Sequence, residues 1–151
     1  MEQKYESQLQ EIQKNRLAKE KKIKERHSLL HREHESITKQ FLPRIHKVCR
    51  EFALATGTYY REGYSDFYPI PYTEDFYESS GCQIAETSGS YNCIGVGLIT
   101  LCSINNKLRS SVYIQPLGDY YHRVYEGVDY IPINRFNEGL LVTELRKIMK
   151  V

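Results

Sequence analysis

Residues 91–115 read YNCIGVGLITLCSINNKLRSSVYIQ, and this stretch decides the fold class. Two runs rich in β-branched and aromatic residues, 91–104 and 108–115, flank the turn residues Asn105, Asn106 and Lys107. Runs of this kind separated by a short polar turn form an antiparallel hairpin. Pairing Ile104 with Leu108 across a three-residue loop sets Thr100 opposite Val112 and Leu98 opposite Ile114. That register keeps the apolar side chains on one face of the ribbon. Gly95 and Gly97 thin the middle of the first strand.

On the carboxyl side, residues 120–125 and 128–133 predict a second hairpin around Glu126-Gly127. Asn134 or Asn137 then caps a last helix with Leu141, Leu145, Ile148 and Met149 on its inner face. On the amino side, residues 58–90 read TYYREGYSDFYPIPYTEDFYESSGCQIAETSGS, broken by Pro69, Pro71 and recurrent Gly and Ser. A loop of that length is uncommon inside a compact domain, so one or two short strands are expected within it.

Further upstream the pattern changes. No Gly or Pro occurs between Glu2 and Gln40, and Lys, Glu, Gln, Arg and Leu dominate, which predicts one long helix. A heptad reading places Leu9, Arg16, Ile23, Leu30 and Ile37 at position a, with Tyr5, Ile12, Lys19, Arg26 and Glu33 at d. The middle of this seam is polar. An isolated helix of this composition is marginal in water, so the reading is a self-associating stem with Leu9, Ile12, Ile23, Leu30 and Ile37 as its interface. After Ile37 the apolar face widens through Phe41, Leu42, Ile45, Val48, Cys49 and Phe52, wide enough to cover a core. Pro43 predicts a kink or break near Leu42, and Thr56-Gly57 reads as the stop. The fold class is therefore α+β: a long amino-terminal coiled-coil helix, a small antiparallel sheet and a carboxyl-terminal helix. Residues 1–40 form a helical oligomerisation stem, and 41–151 a globular head.

Charge follows the same division. Residues 1–56 carry 13 Lys/Arg against 8 Asp/Glu, whereas 57–106 carry Arg61 alone against six acids. A basic rod on an acidic head attracts nucleic acid, an acidic partner or the head of another copy. The 14–26 segment makes nucleic-acid binding an alternative, weak and salt-sensitive because Glu20 and Glu25 dilute it and no aromatic platform accompanies it.

Of 13 tyrosines, 12 follow residue 57. Tyr couples a large rigid ring to a polar tip, a combination enriched in interfaces. In the 58–90 loop Tyr64, Tyr68 and Tyr72 lie near Glu74 and Asp75, predicting a protein-binding surface suited to a basic partner.

Catalytic and metal signals are weak. His27, His31 and His34 at i, i+4 and i+7 project within one sector of the helix. A single zinc ion rarely reaches all three, so they read as decoration of a solvated helix face beside the seam. Cys93 and His122, with Asp119 or Asp129, lack any local motif for a nucleophile and base, and Cys93 reads as a small buried thiol. No phosphate loop, dinucleotide fingerprint or HExxH is present. No catalytic residue, metal or cofactor is assigned. Cys49, Cys82, Cys93 and Cys102 show no CxxC pairing, and residues 1–15 have no apolar core of a signal peptide. These features predict reduced thiols in an intracellular protein with no membrane span. A second alternative is a small ligand-binding protein or enzyme with a site between the head and the 58–90 loop.

The order of elements resembles the coiled-coil plus RWD-like subunits of kinetochores, including monopolin-type chromosome-segregation subunits. The resemblance rests on Ala55-Thr56-Gly57 at the stem–head junction and on Tyr91-Asn92-Cys93-Ile94 opening a strand. It rests also on Tyr130-Ile131-Pro132-Ile133-Asn134-Arg135 leading into the final helix. It implies a parallel homodimer whose heads dock other proteins, a role in chromosome segregation and a nuclear location. Without the resemblance the expected compartment is the cytoplasm. Either way the expected function is a non-enzymatic, oligomeric interaction protein.

Overall fold

The structure is a computed structural model that describes residues 2–63, 76–89, 92–103, 105–117 and 128–151, with side chains from residue 5. Helix α1 spans Glu2–Thr56. Strands β1 (Tyr59–Arg61), β2 (Phe76–Ala85), β3 (Cys93–Cys102), β4 (Leu108–Leu117) and β5 (Asp129–Pro132) follow. A 3-10 turn, Ile133–Arg135, leads into helix α2, Glu138–Met149. The strands form one antiparallel sheet in the order β1-β2-β3-β4-β5, a meander in which sequence neighbours are spatial neighbours. The carboxyl-terminal half of α1 and the inner face of α2 cover one side of this sheet, so the class is α+β.

The core lies between those helices and the sheet. Ile45, Val48 and Phe52 of α1 meet Cys82, Ile84, Ile94, Val96, Leu98, Val112, Ile114 and Ile131 of the strands, with Leu141 and Leu145 from α2. Alternate strand residues point the other way, where Ile99 and Tyr113 are also buried. Gly81 and Gly97 pair directly across β2 and β3 on that second side. A Cβ on Gly81 would stand 2.6 Å from the Tyr113 hydroxyl, so the tyrosine ring lies where only glycine leaves room.

Three expectations from the sequence are corrected. The break, one of the two outcomes expected near Leu42, does not occur: Pro43 lies inside α1, which continues to Thr56. An interior proline costs about 3 kcal/mol. The flanking Ile37, Ile45, Val48 and Phe52 are all buried on the head, and each such burial contributes about 1.5–3 kcal/mol, so packing wins. The β3–β4 hairpin has a five-residue connection, 103–107, and Leu108 pairs with Cys102 rather than Ile104. Val112 accordingly faces Leu98 and Ile114 faces Val96. The shift is two residues, which preserves every side chain's face, since faces alternate with period two. The longer loop is held by Ser103 and Asn105. The Ser103 hydroxyl donates to Asn105 Oδ1, which also accepts the Lys107 amide at 3.3 Å, and Asn106 sits at φ 61°. Asn tolerates that left-handed geometry better than most residues. Third, β2 is ten residues long rather than short. The expected strand at 120–125 lies outside the described residues.

Both helix ends follow local chemistry. Gly57 at φ 71° terminates α1. Asn137 Oδ1 accepts the Leu140 amide at 2.8 Å, which caps α2.

Candidate interaction surfaces along the amino-terminal helix

One stripe runs the length of α1 in steps of three and four: Leu9, Ile12, Arg16, Lys19, Ile23, Arg26, Leu30, His34, Ile37, Phe41, Ile45, Val48, Phe52. Residues at these steps share one helix face. From Leu30 onward that face lies on the chain's own sheet. Leu30 is 2% exposed and Ile37 8%, while Leu9 is 48% exposed, Ile12 63% and Ile23 37%. The five residues expected to form the self-association seam therefore divide. Leu30 and Ile37 pack within the chain's own head, and Leu9, Ile12 and Ile23 face outward. The head reaches further up the helix than residue 40, because the long strands β2 and β3 extend beneath α1.

Arg26 marks the boundary. Its Nη2 donates to the Cys102 carbonyl at 3.2 Å, and its guanidinium lies 4.4 Å from the centre of the Phe76 ring. Phe76 and Cys102 are register partners at one end of the sheet. Between Tyr5 and Glu25 every residue is exposed, over about 30 Å of helix at 1.5 Å per residue.

The three histidines dock the helix onto alternate residues of β2. His27 meets Phe76 edge to face at 4.5 Å between ring centres. His31 Nδ1 donates to the Glu78 carboxylate at 3.1 Å, with Glu35 3.8 Å from its other nitrogen. His34 is buried, with Nε2 2.8 Å from Ser80 Oγ and Nδ1 3.0 Å from Thr100 Oγ1. Thr100 Oγ1 in turn lies 3.0 Å from Ser110 Oγ, so a line of hydroxyls crosses β2, β3 and β4 under the imidazole. Burial pushes the His34 pKa down, Glu78 opposes that, and His31 adds to it. Steps of three and four along a helix match steps of two along a strand closely enough for all three rings to find seats. The rings are thereby spread along the strand instead of converging. Among the described residues, no group of three or more His, Cys, Asp or Glu is placed to hold a metal ion.

Below this row, His46 pairs with Glu62 at 3.4 Å, and its pKa is lowered by burial. Arg44 Nε donates to Glu138 at 2.7 Å and its guanidinium lies near the Phe41 and Phe136 rings, which ties α1 to α2. Beside that pair a groove of about 560 Å³ opens between the helices over Val48, Phe52, Ala55 and Val142. A second recess of about 440 Å³ lies at the sheet end against Cys93, Pro116, Ile148 and Met149. Cys49, Cys82 and Cys102 are buried free thiols, whereas Cys93, expected to be buried, is only partly so. Hydrogen bonding to Cys82, together with burial, pushes the Cys49 thiol well above its usual range, which suppresses thiolate chemistry there.

The expected partner-binding residues Tyr64, Tyr68, Tyr72, Glu74 and Asp75 lie outside the described residues, as do Asp119 and His122. Other tyrosines are exposed: Tyr59 on β1, Tyr77 on β2 and Tyr130 on β5. All three alternate with residues that face the helices, so they stand on the opposite side of the sheet. Strand alternation is the signal for that placement, and reading 58–90 mainly as loop leaves Tyr59 and Tyr77 without it. Among the described residues, no helix is long and apolar enough to cross a membrane. No protein-family model, curated protein or solved structure matches this chain.

Proposed function

We propose that the protein is a non-enzymatic, self-associating interaction protein. The exposed half of α1 joins copies, and the tyrosine-bearing face of the head receives a protein partner. The observation carrying this reading is the contrast along one helix face: buried on the chain's own sheet from Leu30 onward, and open at Leu9, Ile12 and Ile23. An amphipathic helix of about 20 residues gains most of its stability from packing, so a second copy is the natural cover. The seam ends at Arg26, because beyond it the same face belongs to the sheet. Two helices paired through this face must therefore part at about that residue. The resemblance to coiled-coil plus RWD-like kinetochore subunits accords with this reading, and chromosome segregation is the cellular role it suggests.

Replacing Ile12 and Ile23 together by Asp tests the reading. Neither side chain packs in the head, so the thermal melt should hold while the mass by light scattering falls to that of a monomer. A wild-type chain that stays monomeric across a concentration series sinks the proposal, as does an unchanged mass for the double variant. Leu30 is unsuitable as a probe, since burying a charge there would unfold the head.

A further inference from the structure

Cations are denser in the exposed half of α1 than in the docked half. In the docked half, Lys39 pairs with Glu35, Arg44 with Glu138, and His46 with Glu62, while Arg32, Lys47 and Arg50 have no ion pair among the described residues. In the exposed half, residues 14–26 hold seven Lys/Arg and two Glu. Arg16 has Glu20 at 3.8 Å, and Arg26 is engaged by Cys102 and Phe76. Lys14, Lys19, Lys21, Lys22 and Lys24 have no ion pair among the described residues. Several of these cations are spaced so that they repel: Arg16 and Lys19, Lys19 and Lys22, and Lys21 and Lys24 at i, i+3, with Lys22 and Arg26 at i, i+4. Like charges at those spacings destabilise a helix. Glu20 and Glu25 offset only part of this repulsion, two acids against seven cations.

We infer that residues 14–26 of α1 dock the phosphate backbone of a duplex nucleic acid, without reading its sequence. Lys14 and Lys21 lie opposite the Leu9–Ile12–Ile23 stripe, with Lys22 and Lys24 on its two flanks, so self-association leaves them accessible. Carried along the exposed rod, these cations can track the phosphates of a duplex backbone without entering a groove. Displacing condensed counterions would supply the free energy and relieve the repulsion within the helix. An anionic lipid surface fits less well. A helix lying in a membrane needs an unbroken apolar face, and Arg16 and Lys19 interrupt this one. Stacking on unpaired bases is not expected, since residues 14–26 contain no aromatic residue.

The test is fluorescence anisotropy of a labelled 20-base-pair duplex titrated with the full chain at several salt concentrations. Binding is expected at low salt and should weaken steeply as salt rises. Lys21→Gln, Lys22→Gln and Lys24→Gln combined should reduce affinity about tenfold or more and flatten the salt dependence. Light scattering and circular dichroism on the triple variant should show unchanged mass and no loss of helix. This keeps the result independent of the self-association proposal, which a monomeric wild-type chain would sink while duplex binding survived. Absence of binding at low salt overturns the inference. So does a triple variant that binds like the wild type, or tighter capture by phosphatidylserine vesicles than by the duplex.

Discussion

The two halves of α1 are written in similar residue types and share a helical face, yet they are held by different physics. From Arg26 to Thr56 the helix is fastened by buried side chains, a row of three histidines seated on β2 and ion pairs to α2 and the β1 turn. From Tyr5 to Glu25 every side chain is exposed. Propensity alone leaves such a segment marginal, whereas packing makes the other half tolerate even an interior proline. The comparison teaches that the stripe of apolar residues specifies a face, and that the layer covering the face decides its role.

The largest effect should separate the halves by truncation. Phe52→Ala removes a buried ring and is expected to lower unfolding free energy by about 3–5 kcal/mol in a denaturant titration. Ile12→Ala in the exposed half should change the head's stability by no more than about 0.5 kcal/mol. Comparable losses for both would break the distinction.

A smaller effect is expected at Pro43. Restoring an amide with Pro43→Ala recovers a helical hydrogen bond at a site where proline costs about 3 kcal/mol, less about 0.4–1 kcal/mol for the freer unfolded chain. The net gain should be roughly 2 kcal/mol, read as a higher melting temperature. No gain would show that the docked half had already adapted its backbone around the ring.

The smallest is a pH effect at the seat of His34, which faces Ser80, Thr100 and Glu78 from the sheet and His31 from its own helix. Its folded pKa is depressed below the unfolded value near 6.5, so its contribution is fully present above that pH. It is lost as pH falls through the folded pKa, because the unfolded chain takes up the proton more readily. Stability of the wild type should therefore fall, as pH drops below about 6.5, more steeply than that of His34→Gln. His46, shifted the same way, contributes equally to both proteins and cancels in the comparison. Parallel pH profiles for the two proteins would remove His34 as a contributor.

Much of the architecture could be read before any coordinates. The absence of Gly and Pro through residue 40, the Thr56-Gly57 stop, the hairpin around Asn105 and Asn106 and the Asn137 cap are local signals with local causes. They place helix, strand and cap correctly. The hairpin register was right in parity and wrong by two residues, since hydrophobic matching distinguishes faces but not steps of two along a face. The expected partner residues of the 58–90 segment gained no structural placement. The exposed tyrosines of β1 and β2 take their side of the sheet from strand partners within a segment that reads mainly as loop, whereas Tyr130 lies in 128–133, which reads as strand.

What the sequence determines alone is therefore what depends on neighbours along the chain: helix propensity, turn chemistry, end caps and the azimuth of the apolar stripe. Tertiary structure decided which part of that stripe is already covered. Leu30 and Ile37 carry the same helical periodicity as Leu9 and Ile23, and nothing local separates them. They differ because β2 and β3 are ten residues long and reach beneath the helix as far as Arg26. Burial is set by contacts between segments distant in sequence. The histidine row follows the same logic, since its spacing gives one sector of a helix and only the strand beneath assigns each ring a partner.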